Sequence, residues 1–171
     1  MSAPSEATAA TVVAAIAVEF RRRLQREYVP RIRQCVALLA SEGGGIWRRP
    51  APNCNSVGNL LLHLAGNTRQ WIHASFGDLE DRRDRPAEFA ADGGADGKAL
   101  VEELERVVDR ACDLVSALPA GEWLQPRVVQ GYDETGLSIV LHVLEHFSGH
   151  AGQIYAWTKQ VTGQDLRFYD L

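Results

Sequence analysis

Residues 137–162 read LSIVLHVLEHFSGHAGQIYAWTKQVT, and the spacing of their apolar positions decides the fold. Val140, Val143, Leu144, Phe147, Ala151 and Ile154 recur every three or four residues, the period of an α-helix rather than the period of two that a strand needs. Gly163 follows directly, where a left-handed glycine closes a helix. The same period recurs three times upstream. Thr11 to Ala40 carries Val13, Ala17, Phe20, Leu24, Ile32, Val36 and Leu39, ends at the glycines 43–45, and contains Pro30, which predicts a kink near Tyr28 or two abutting helices. A second helix is expected from Asn55 or Ser56 to about Phe76, and a third from Lys98 to Leu118, stopped by Pro119. Residues 1–10, small and polar, are expected to be loosely ordered. Asp78 to Gly97 reads as a long charged, glycine-rich loop, and the β-prone run Arg127 to Val129 as part of a crossover loop, with a short extended segment as the alternative. Four long amphipathic helices without a convincing strand pattern predict an all-α four-helix bundle, one domain over residues 1–171.

The composition narrows the function. With 46% hydrophobic and 23% charged residues in 171, the chain is globular rather than disordered or fibrous. A formal net charge of −4 supplies no basic field, so neither nucleic acid nor an anionic membrane surface is an expected partner. The longest apolar stretch, Val12 to Val18, is far short of the roughly 20 residues that cross a bilayer, and no basic segment precedes it, so a cytoplasmic location is expected. Cys35, Cys54 and Cys112 are odd in number and lack C-x-x-C spacing, which points to packing rather than to disulfides or a thiolate zinc site.

All five histidines fall on two of the expected helices, His63 and His73 on the second and His142, His146 and His150 on the fourth. Residues four apart on a helix lie one above the other, so His146 and His150 can direct two imidazoles at one point. At about 100° per residue from His142, His146 falls near 40° and His150 near 80°, both bordering the apolar arc. His142 lies farther round, towards Glu145, and is the weakest ligand of the three. On the second helix Asn59, His63 and Asn67 make a polar stripe beside Leu60, Leu64 and Trp71. Three imidazoles from two helices suit a divalent zinc, nickel, iron or manganese ion with positions left open for water or substrate. Asn59, Asn67, Trp71 and Gln153 are the candidates for contact with a bound cofactor, and Glu145, Gln153 and Asn67 for orienting an imidazole or a water. Gly58 and Gly66 flank His63, and Gly149 and Gly152 flank His150, although an interior helical glycine costs about 0.5 to 1 kcal/mol against alanine. Close approach of a helix, metal or ligand would explain them.

Four stretches together resemble one family: Asn55 to His63 (NSVGNLLLH), Gly66 to Trp71 (GNTRQW), Asp84 to Phe89 (DRPAEF) and Glu145 to Gln153 (EHFSGHAGQ). The chain resembles the DinB-like superfamily, in the branch called domain of unknown function 1572, from its first helix to Tyr155. The resemblance implies an up-down-down-up four-helix bundle with a divalent metal held by His63, His146 and His150. Characterised relatives include thiol-dependent S-transferases and a mycothiol-dependent maleylpyruvate isomerase, and many others are described only as metal-dependent hydrolases. The expected function is therefore that of a metalloenzyme acting on a small-molecule substrate, with the ion activating a low-molecular-weight thiol or a water. In the hydrolytic version Glu145 or His142 would be the general base. The alternatives from the residues are a metal- or ligand-binding stress-response protein without turnover, and a structural bundle that pairs with itself. A homodimer is compatible with the apolar faces.

Overall fold

The structure, a computed structural model, describes residues 6–42 and 45–169. Four helical rods make up the bundle. The first is α1 (Glu6–Arg23) and α2 (Val29–Ala40), joined by a π-helical turn at Leu24–Tyr28. Val29 N–H donates to the Leu24 carbonyl, one residue farther back than in an α-helix. That extra residue lets the rod pass Pro30, whose ring would otherwise meet the carbonyl four residues before it. The helix starts at Glu6, five residues ahead of Thr11, so Glu6 to Ala10 are ordered into it, while residues 1–5 and two of the glycines 43–45 lie outside the described residues.

The second rod is α3 (Val57–Thr68), a π-helical turn at Arg69–His73, and α4 (Ala74–Phe76). Ser56 caps it, with Asn59 returning the bond, so two otherwise unpaired backbone donors are satisfied reciprocally. The third is α6 (Gly97–Ala117), capped by Asp96, and the fourth is α7 (Gly136–Thr162). Thr135 and Ser138 box its start, and Gly163 at φ +66° closes its end, donating to the Lys159 carbonyl.

Rod α2 packs on α6 and α7, and α3 packs on the same two, so the order around the core is α2, α6, α3, α7. Consecutive helices α2 and α3 thus lie diagonally, as do α6 and α7. This explains the long connections at 41–56 and 118–135, since a diagonal cannot be closed by a tight turn. Phe20, Leu24, Ile32, Leu61, Leu104 and Phe147 meet in one continuous hydrophobic core.

Two stretches expected to be loops hold regular structure. Within Asp78 to Gly97 a six-residue helix, α5 (Arg85–Ala90), starts at Asp84, whose side chain accepts from Ala87 N–H, with Pro86 in the first turn. Arg127 to Val129 belongs to an antiparallel hairpin, β1 (Pro126–Val129) with β2 (Tyr132–Thr135), rather than to a crossover loop. Gln130 (φ +54°) and Gly131 (φ +83°) form its tip, a turn with both central residues left-handed that matches strand twist. No helix among the described residues is long and apolar enough to cross a membrane.

Candidate metal centre

The face shared by α3 and α7 carries the histidines. His63 projects from the buried middle of α3, and His146 and His150 stand one turn apart on α7. One ligand atom from each lies within 4.8 Å of the others. The ring centroids of His63 and His146 are 4.8 Å apart, of His63 and His150 5.0 Å, and of His146 and His150 4.5 Å.

The tautomers follow from the outer hydrogen bonds. His63 Nδ1 lies 2.8 Å from Glu88 Oε2. Arg83 Nη2 also approaches that nitrogen at 3.0 Å, but Arg83 already donates to both Glu88 oxygens, at 2.7 and 2.9 Å. His63 Nδ1–H therefore donates to the carboxylate, leaving the Nε2 lone pair free. His63 Nε2 is 2.9 Å from His146 Nε2, so either one proton lies between the two nitrogens or both address a common cation. His150 Nδ1 donates to Gln153 Oε1 at 3.0 Å, which turns its own Nε2 into the donor atom.

Three imidazole nitrogens at roughly 2.0 to 2.1 Å from one tetrahedral ion would stand about 3.4 Å apart. The separations present are close enough for modest side-chain rotation to reach that geometry. An all-nitrogen donor set with an outer carboxylate fits a divalent transition ion better than calcium or magnesium, which take oxygen.

Burial favours the neutral form of two of the donors, His146 and His150. It pushes the His146 imidazole down to about 3, with help from the neighbouring imidazoles of His150, His63 and His142. His150 and His142 are shifted in the same direction, chiefly by burial. Burial also opposes the charge on Glu88, but hydrogen bonds from Arg83 and His63 outweigh it and hold the carboxyl below its ordinary value. Both kinds of group act with one sign. As pH falls below the ordinary histidine value of 6.5, the unfolded chain takes up protons that the folded imidazoles refuse, and the depressed Glu88 adds a loss at lower pH still. The metal-free protein is expected to melt at a lower temperature at pH 5 than at pH 7. A melting temperature that holds or rises on acidification of chelator-treated protein would contradict this.

Behind His63 lies a charge pair that periodicity did not single out. The Glu88 and Arg83 side chains are only 10% and 5% exposed, and Arg83 Nη1 also donates to Gln70 Oε1 at 2.9 Å. Gly66 leaves the space: a Cβ there would lie 1.9 Å from Glu88 Oε1. Gly58 has a different reason, the Trp47 ring 2.6 Å from where its Cβ would be, and Gly149 and Gly152 face open space. Gly66→Ala is therefore expected to push Glu88 off His63 and weaken metal binding by about 10- to 100-fold, the usual effect of losing an outer partner of a ligand histidine. A competition titration with a chromogenic chelator measures it, and Gly149→Ala is the control.

The remaining candidates are distributed unevenly. His142 stacks on Trp71 at 3.6 Å between ring centroids, 5.3 Å from the His146 ring, and its Nε2 accepts from Asn67 Nδ2 at 3.3 Å. His142, Asn67 and His146 line an open cleft of about 600 Å³ with His63. Asn59 does not line it. Its side-chain oxygen caps α3, and its amide donates to the backbone carbonyls of Glu88 and Ala91 at 2.9 and 2.7 Å, fastening α5 against α3. Glu145 is on the exposed side of α7 and makes no hydrogen bond to the cluster. His73 is apart from the site, with Nε2 3.0 Å from the Val107 carbonyl. Cys35 and Cys112 are buried, and burial raises both thiols, Cys112 to about 12.

No curated protein matches the chain. The crystal structure of a conserved protein from Enterococcus faecalis is similar in fold, with a TM-score of 0.68 at 18% identity over 85% of this chain and 96% of that one. The model of the DinB superfamily matches residues 41–154, a span that includes His63, Glu88, His146 and His150. With that match over two thirds of its length, the chain belongs to the DinB superfamily.

Proposed function

We propose that the protein is a metal-dependent enzyme in which His63, His146 and His150 hold a divalent transition ion and a low-molecular-weight thiol is transferred to an electrophilic small molecule in the adjoining cleft. The observation that carries this is the convergence of three imidazole nitrogens within 4.8 Å, each of two with its outer nitrogen already bonded to a side-chain oxygen. A bound ion of this kind supplies stabilisation of the deprotonated form of a thiol or water at neutral pH.

The chain's own groups supply the rest. Glu88 and Gln153 fix the ring orientations of His63 and His150. The Trp71 ring holds His142 flat against the cleft wall, where its Nε2, engaged only by the long contact from Asn67, is the acceptor for the thiol proton. The sulfur–carbon bond then forms as the leaving group departs with its bonding pair. Hydrolysis is the second reading; it would use the same His142 acceptor with water in place of the thiol, since Glu88 is held by Arg83 and His63 and Glu145 is not among the residues lining the cleft. The test is loss of a chromogenic aryl halide with thiol present. Turnover that needs both added metal and thiol supports transfer; ester cleavage without thiol supports hydrolysis; metal binding with neither activity removes the enzyme.

A further inference from the structure

The cleft beside the histidines holds two arginines in different situations. Arg83 is spent, with its guanidinium on Glu88 and Gln70. Arg85 is exposed, lines the same cleft, and among the described residues pairs with no carboxylate. It is not loose. Its guanidinium sits 4.9 Å from the centroid of the Phe89 ring, and that ring packs on His63 at 4.6 Å between centroids. A single aromatic ring thus separates a free cation from the imidazole cluster. The carboxylates that act on His142, Glu134 and Glu145, are not among the residues lining the cleft.

The tip of the hairpin lines the same cleft. Gln130 and Tyr132 contribute to its lining, and Gln130 holds φ +54°, a left-handed conformation that a residue with a side chain adopts at a cost. The pairing of Val129 with Tyr132 on either side keeps it there. Gln130, Tyr132 and the Arg85 cation thus share one cleft whose lining holds no carboxylate, and a guanidinium with polar neighbours and no countercharge suits oxyanion recognition.

We propose that Arg85 anchors an oxyanion of the substrate, a carboxylate or a phosphate, while the other end of the molecule lies at the three imidazoles. This deepens the metal-dependent reading and rests on it. The acceptor of the reaction is then an anionic small molecule, and Arg85 selects it against neutral analogues.

The test uses full-length protein loaded with Co(II), whose visible spectrum reports ligands reaching the ion. Azide probes the ion alone. Succinate and 3-phosphonopropionate probe the ion and Arg85 together. In Arg85→Gln the dissociation constant for the preferred dianion is expected to rise by about tenfold or more, while azide binding stays within about twofold. Arg85→Lys should recover part of the loss. Whichever dianion loses more identifies the oxyanion as carboxylate or phosphate. Unchanged dianion binding in Arg85→Gln overturns the proposal and leaves the metal centre standing, as does an equal loss for azide, which would mean that the substitution acts by displacing Phe89 and His63. Protein that takes up no Co(II) removes the metal reading and this proposal with it.

Discussion

His146→Ala is expected to abolish stoichiometric binding of divalent metal, from about one ion per chain to near zero, while the far-ultraviolet helix signal is unchanged. His146 is the central member of the cluster, with its ring 4.8 Å from His63 and 4.5 Å from His150. Without it only two donors remain, on different helices. The helices have no need of the imidazole, because burial disfavours its charge and Phe147, Val143 and Ala151 supply the apolar contacts of this part of α7. Metal present at roughly 1,000 times its dissociation constant should stabilise the parent protein by about 4 kcal/mol. For a chain of this size that is a rise in melting temperature of roughly 8 to 16 °C. The variant should show no such rise. Retention of stoichiometric, chelator-sensitive metal by His146→Ala would place the site elsewhere.

Glu88→Ala is expected to have the largest effect on stability of any single change near the site. It leaves the Arg83 guanidinium, 5% exposed, without its countercharge, and it removes the acceptor for His63 Nδ1. Breaking one side of a buried ion pair typically costs about 3 to 5 kcal/mol. The melting temperature should fall by roughly 6 to 20 °C. Replacing both partners, Glu88→Leu with Arg83→Met, should restore much of the stability, because no charge is then stranded. It should not restore metal affinity, because His63 would still lack the bond that orients it. If the single variant melts with the parent, the pair is peripheral to the fold.

The residues behind these effects differ widely in how visible they are in the sequence. The bundle and the histidine set were legible because each rests on one period: apolar residues every three to four positions in α3, α6 and α7, and His146 and His150 four apart on the same stripe. Asn59 misleads for the same reason. It continues the polar stripe of His63 and Asn67 at the correct interval, yet it sits in the first turn of α3, where its spacing of three from Ser56 makes it a capping residue. Glu88 and Arg83 were hidden in a charged stretch that periodicity can only describe as solvated. Burial of such a pair depends on α5 folding back on α3, through the Asn59 amide and the Arg49 guanidinium that grips the Phe89 carbonyl. Local signals did exist. Asp84 followed by Pro86 is a helix start, and Gly66 marks a close approach next to His63. The hairpin escaped because each strand has four residues and Tyr132 to Thr135 has no apolar alternation. The π-helical turn at Arg69–His73, which carries Trp71 to His142, contains no proline and no other mark by which the chain could announce it.

The metal-dependent reading requires that three imidazoles from two helices share one cation. Diffraction from crystals of untagged protein, recorded on either side of the absorption edges of zinc, iron, nickel and manganese, addresses it directly. One anomalous peak within about 2.0 to 2.2 Å of a nitrogen of each of His63, His146 and His150 is the expected result. A map without a peak there, with His63 and His146 joined through a proton and His150 turned to solvent in metal-supplemented crystals, would contradict it.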